Sequence, residues 1–138
     1  MSVGVGVVIV THYRLGQEFL QALRLIVPEA PEFHAVAIEP EQTVEEMRRA
    51  IDAALRAADR GEGVLVLTDM FGGTPSNISL SFLEDRRVEV VTGVNLPMLI
   101  KLATMRGEKR LEDLARFIKD YGQRNISVAR EILPEGDA

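Results

Sequence analysis

From Val3 to Val10 the chain is glycine and aliphatic without a break, Val-Gly-Val-Gly-Val-Val-Ile-Val, and Val64-Leu-Val-Leu67 does the same further on. A strand that is apolar at successive positions is apolar on both faces, so it must be covered on both faces. That requirement points to a parallel sheet with helices packed above and below it. Right-handed crossovers then bring the carboxyl ends of all the strands to one edge, where open α/β sheets keep their chemistry. The residues that follow the two runs at that edge are polar: Thr11-His12 after the first and Thr68-Asp69 after the second.

The segments between the runs read as helices. Leu15, Phe19, Ala22, Leu23 and Ile26 recur at helical spacing before Pro28 and Pro31. Phe33 to Ile38 is a short apolar strand, and Thr43-Val-Glu-Glu46 is a capping box that opens a helix with Val44, Met47, Ile51, Leu55 and Ala58 facing inward as far as Gly61. After the second run, Ile78 to Leu83 forms a short helix, with Thr74 as its N-cap and Pro75 in the first helical position. Arg87 to Thr92 is a fourth strand. Gly93-Val-Asn-Leu-Pro97 opens a helix to about Arg106, and Leu111, Leu114, Ala115 and Ile118 mark another that ends near Gly122. Ile126 to Leu133 fits helix or strand. The expected architecture is therefore an open, doubly wound, mainly parallel four-stranded α/β sheet flanked by helices. A chain of 138 residues with no linker or repeat is expected to be a single domain, 1–138.

Composition narrows the function. There is no cysteine, which excludes disulfides, thiolate catalysis and thiolate metal sites, and a cytoplasmic location is expected. The first apolar run is far shorter than the roughly 20 residues that cross a bilayer, so no membrane insertion is expected. Sixteen basic against 21 acidic residues give a net charge of -5. The basic residues between 101 and 130 are scattered through helical patterns, and nucleic acid is not an expected partner.

Three loops share the reactive edge: Thr11-His12-Tyr13-Arg14, Asp69 with Met70-Phe-Gly-Gly-Thr-Pro-Ser-Asn77, and Gly93-Val-Asn95. If the first and third strands are neighbours, Asp69 reaches His12 and holds one ring N–H, leaving the other nitrogen with its lone pair outward. Gly72 and Gly73 allow close backbone approach, Thr74 adds a hydroxyl, and the helix that follows aims free N–H groups at the same space. A nucleophilic imidazole beside an anion cradle suits phosphoryl transfer through phosphohistidine. Taken singly, each feature has a plainer reading: an exposed histidine, an Asx turn, an ordinary helix start. His34, in or before the second strand, has no evident role.

Other chemistries lack their motifs. There is no phosphate-binding G-x-x-x-x-G-K-[ST] loop, and Gly4 and Gly6 open a strand rather than follow one, so no dinucleotide fingerprint exists. Receiver domains need an acidic cluster where Thr11 and His12 stand. No G-x-S-x-G elbow is present, although Ser76 or Ser79 could join His12 and Asp69 in a hydrolase, and two distant histidines with one aspartate make only a weak metal set.

Three segments together resemble the enzyme IIA domains of the mannose class of the bacterial phosphoenolpyruvate-dependent sugar phosphotransferase system. They are Ile9-Val-Thr-His12, Leu67-Thr-Asp-Met-Phe-Gly-Gly-Thr-Pro-Ser-Asn77 and Val91-Thr-Gly-Val-Asn-Leu-Pro-Met-Leu99. The resemblance implies that His12 receives a phosphoryl group from the phosphocarrier protein HPr and passes it to a histidine of an enzyme IIB. It implies that Asp69 hydrogen-bonds His12, that Thr11, Gly72, Gly73 and Thr74 help hold the group, and that Phe71 lines the site. No cofactor or metal is implied, since donor and acceptor are both imidazoles. A homodimer that exchanges a C-terminal strand is implied as well. Tyr13-Arg14 departs from the small residues that often follow the family's histidine. Two further readings of the same resemblance are a regulatory protein controlled by phosphorylation of His12, and the related phosphoryl donor of dihydroxyacetone kinase.

Overall fold

The computed structural model describes residues 4–84, 87–105 and 107–133. In chain order the elements are β1 (Gly6–His12), α1 (Leu15–Ile26), β2 (His34–Ile38), α2 (Val44–Ala58), β3 (Val64–Thr68), α3 (Thr74–Leu80), β4 (Val88–Thr92), α4 (Leu96–Thr104), α5 (Leu111–Arg124) and the single turn α6 (Ala129–Ile132). The strands form one parallel sheet in the order β2-β1-β3-β4. From β1 the chain winds first toward β2 and then, through β3, the other way. The gap between the ends of β1 and β3 is thus a topological switch point.

The doubly apolar strands divide their side chains between two cores. Val7, Ile9, Leu65, Leu67 and Val91 pack with residues of α1, α4 and α5, whereas Val8, Val10, Val64, Val66 and Val88 pack with α2 and α3. Helix α2 begins as its sequence requires: the Thr43 hydroxyl accepts from the Glu46 amide and the Glu46 carboxylate accepts from the Thr43 amide. Its buried stripe is Met47, Ile51, Leu55 and Ala58, while Val44 is exposed instead of facing inward.

Three local expectations need correction. In α1 the buried residues are Gly16, Leu20 and Leu23, and Leu15 and Ile26 face solvent. The buried Thr11 hydroxyl accepts from the Gly16 amide at 2.8 Å and so turns Gly16 toward the sheet. A Cβ there would already be 3.3 Å from Ile9 and 3.4 Å from Ala35. Second, α3 starts four residues earlier than Ile78: Gly73 is its N-cap and Pro75 stands one position further in than expected, with Thr74 inside the helix. It stops at Leu80 because i to i+3 bonds to the Ile78 and Ser79 carbonyls, joined by the Ser81 hydroxyl, tighten its last turn. Third, α4 starts only at Leu96, where the Asn95 side chain accepts from the Met98 amide, and ends at Thr104; Arg106 lies outside the described residues, as does Val3 of the first run. Strand β4 begins at Val88. The expected C-terminal strand is not seen among the described residues, where Ile126 to Leu133 contain α6 instead.

Candidate functional site

His12 is the last residue of β1, and Asp69 follows β3 directly. Because the two strands are hydrogen-bonded neighbours with Val10 level with Thr68, their ends fall side by side. Asp69 Oδ2 accepts from the His12 amide at 3.0 Å and lies 2.8 Å from His12 Nδ1, while Oδ1 accepts from the Met70 amide at 3.0 Å. Burial by itself raises the Asp69 carboxyl. The His12 amide, the His12 ring with its charge when protonated, and Asp69's own amide together outweigh it and hold the group below its ordinary value. An ionised carboxylate only accepts hydrogen bonds, so Nδ1 carries the hydrogen and Nε2 of the neutral ring keeps its lone pair. The Asp69 side chain is 13% exposed and that of His12 45%: the orienting group is shielded and the ring is open.

The Gly-Gly turn leaves that open nitrogen accessible. A Cβ on Gly73 would stand 2.8 Å from His12 Cε1 and 3.1 Å from Nε2, so the missing side chain is what clears the space beside the free nitrogen. Gly72 has φ +91°, a conformation that favours glycine, and open space around it. Gly73 caps α3, whose first-turn amides have no partner within the helix. Thr74 is exposed at that start, and Phe71 stands out from the turn 71% exposed. The Asn77 side-chain amide donates to the Gly72 carbonyl at 3.5 Å.

Other polar residues of this edge are engaged elsewhere. The fully buried Thr11 hydroxyl donates to the Tyr13 carbonyl at 3.3 Å and accepts from the Gly16 amide, so its one hydrogen serves the turn into α1. Thr68 repeats the device on β3, donating to the Met70 carbonyl at 3.3 Å. The chain pattern carried a signal for it, since both apolar runs end in threonine followed by the site residue. Asn95 is a structural residue: besides capping α4 it donates to the Gly122 carbonyl at 3.1 Å. Ser79 is buried and donates to the Pro75 carbonyl, and Ser76 is fully buried with its hydroxyl unpartnered, so neither hydroxyl is paired with His12. His34 pairs with Val8 in the sheet register and lines a cavity of about 410 Å³ at the opposite edge, with Phe33, Ala58 and Met105. Among the described residues no group of three or more His, Cys, Asp or Glu is placed to hold a metal ion.

The family pattern described as the PTS system fructose IIA component, EIIA-man, matches residues 6–119. The chain belongs to the EIIA family of the sugar phosphotransferase system. Among relatives of this EIIA chain, the fructose-specific EIIA component of Bacillus subtilis is 35% identical over 91 residues, covering 65% of the chain and 62% of the relative. The sorbose-specific EIIA component of Lacticaseibacillus casei is 31% identical and covers 70% of each. The mannose/sorbose-specific IIA subunit of Enterococcus faecalis superposes with a TM-score of 0.84 at 28% identity, over 96% of this chain and 98% of that one. The match thus spans somewhat under two thirds of the length of the Bacillus relative. The doubly wound sheet read from the sequence is the fold of this EIIA family, and no helix among the described residues is long and apolar enough to cross a membrane.

Proposed function

We propose that this EIIA chain is a cytoplasmic phosphoryl carrier that takes a phosphoryl group onto His12 from phosphorylated HPr and hands it to a histidine of an enzyme IIB. The observation that carries the reading is the pairing of one ring nitrogen with Asp69 while the other faces the space cleared by Gly73. In the transfer, the P–N bond of the donor imidazole breaks as a bond from Nε2 to phosphorus forms, and the departing imidazole keeps the electron pair. His12 retains the hydrogen on Nδ1, so its phosphorylated ring is cationic and Asp69 balances it across 2.8 Å. The phosphoryl oxygens meet the amides of Gly73 and Thr74, the Thr74 hydroxyl and the open side of Gly72, with Phe71 beside them. Thr11 acts as a positioning residue, through the turn that follows His12.

The test is incubation with phosphoenolpyruvate, enzyme I and HPr, followed by assay for acid-labile, base-stable phosphate. His12→Ala is expected to take up none, and label that persists in that variant would falsify the assignment. The same labelled protein, mixed with an enzyme IIB, is expected to lose its phosphate to it.

We propose in addition that the chain is a homodimer in which the C-terminal segment of one copy lies along β4 of the other. Strand β4 is one of the two outer strands of the sheet, and a groove lined by Val90, Thr92, Ala115 and Lys119 runs beside it. Ile126, Val128, Ile132 and Leu133 stand 60 to 75% exposed on the segment that would fill it.

A further inference from the structure

Among the described residues, Tyr13 is the one non-glycine residue at positive φ, +48°. A side chain in that left-handed region crowds the following carbonyl, and such conformations persist only where the surroundings hold them. Here they do. The Tyr13 amide donates to the Ile38 carbonyl at 2.8 Å and its carbonyl accepts from the Thr11 hydroxyl. That anchoring secures the backbone and leaves the ring outside: Tyr13 is 56% exposed, so no packing inside the fold accounts for an aromatic residue in a place that glycine would occupy without strain. It stands next to His12 in sequence and at the same sheet edge. Leu15, which opens α1 just after that turn, and Met70 and Phe71 on the loop after β3, are likewise exposed. Two loops that flank the reactive ring therefore both present apolar side chains outward. The cavity lined by His34 lies at the opposite edge of the sheet, and the groove beside β4 is lined by none of these residues.

We infer that Tyr13 is a specificity-determining residue, whose ring contacts the phosphohistidine-bearing donor protein while His12 is being phosphorylated. The inference rests on the phosphocarrier reading. An exposed aromatic beside the reacting atom adds apolar contact to a protein partner at little cost in side-chain freedom, and gives nothing to a small phosphoryl donor. The two donors can therefore be compared directly. Phosphoramidate transfers its phosphoryl group to imidazole with ammonia as the leaving group and brings no protein surface of its own to Tyr13.

The experiment measures the rate of His12 labelling by phosphorylated HPr and by phosphoramidate, in wild type, Tyr13→Gly and Tyr13→Phe. The ratio of the two rates is expected to fall about tenfold in Tyr13→Gly, through a higher KM for the protein donor, and to stay within about twofold in Tyr13→Phe. Tyr13→Gly is expected to melt within about 3 °C of wild type, because the strain relieved and the freedom gained by the unfolded chain oppose each other. An unchanged ratio in Tyr13→Gly overturns the inference, as does an equal loss in Tyr13→Phe. Wild-type protein that takes no label on His12 from either donor overturns the phosphocarrier reading itself, a result distinct from both.

Discussion

At Gly73 the free nitrogen of His12 depends on a group that is missing. Its φ is -87°, so alanine fits the backbone, and the whole effect of Gly73→Ala falls on the ring, with a methyl group 3.1 Å from Nε2. The variant is expected to fold with a melting temperature close to wild type and to lose about 10²-fold or more of its labelling rate; a rate within threefold of wild type means that the phosphoryl group does not approach from that side. Asp69→Asn tests the opposite nitrogen. An amide can donate to Nδ1 and shift the hydrogen to Nε2, which removes the lone pair, so a loss of about 10² to 10⁴-fold is expected with the fold intact. Asp69 also ties stability to pH. Its carboxyl lies below its ordinary value in the folded chain, so its contribution is present above the ordinary carboxylate range and is lost as pH falls through the folded value. Melting temperature followed from pH 7 down to about pH 3 is expected to fall more steeply in wild type than in Asp69→Asn, and parallel curves would remove the linkage. At this scale the His12–Asp69 pair was legible, because two apolar runs each ended in a polar residue. That Thr11 and Asn95 spend their hydrogen bonds on turns was not, since those partners are set by backbone positions that only the folded loops define.

Between elements, the first turn of α1 is moored to β1 by one side chain. The Thr11 hydroxyl accepts from the Gly16 amide at 2.8 Å in a fully buried setting. Thr11→Val keeps the shape and removes the acceptor, leaving a buried N–H without a partner at a cost of about 1–3 kcal/mol. A drop of several degrees in melting temperature is expected by calorimetry. Thr11→Ser, which keeps the hydroxyl, is expected to recover most of it; if the valine protein melts with wild type, the mooring is not what holds the turn. The same bond explains why the buried stripe of α1, Gly16, Leu20 and Leu23, departs from the apolar periodicity at its start. Periodicity weighs Leu15 and Ile26 by hydropathy alone, whereas here a glycine is the residue that fits against the sheet. Helix α2 was legible because its capping box and its stripe of Met47, Ile51, Leu55 and Ala58 agree. Helix α3 starts ahead of its sequence signal because glycine, without a side chain to mark it, is its N-cap.

For the whole molecule, the sheet ends at β2 on one side and at β4 on the other, and the outer backbone groups of β4 are those of an edge strand. An edge left open is a template for another strand, and proteins blunt or cover it. Here the apolar material to cover it is at hand, on a segment whose aliphatic side chains stand mostly exposed in their own copy: Ile126, Val128, Ile132 and Leu133. If two copies exchange these segments, eight aliphatic side chains are buried. Full burial is worth about 1.5–3 kcal/mol for each side chain. That sum competes with an association cost of about 4–15 kcal/mol. A dimer of this kind would be held largely by the C-terminal residues, and ending the chain after Asn125 removes those residues together with nothing that the cores contain. Light scattering is expected to give twice the 15.3 kDa chain mass for the full protein at tens of micromolar, and a monomer for the shortened one. A full-length monomer would show that the groove beside β4 is left to another partner; a shortened dimer would place the interface on the helices. Since His12 and Asp69 both come from one chain, the shortened protein is also expected to keep its labelling by phosphoramidate, so that loss of the dimer can be measured apart from loss of the site.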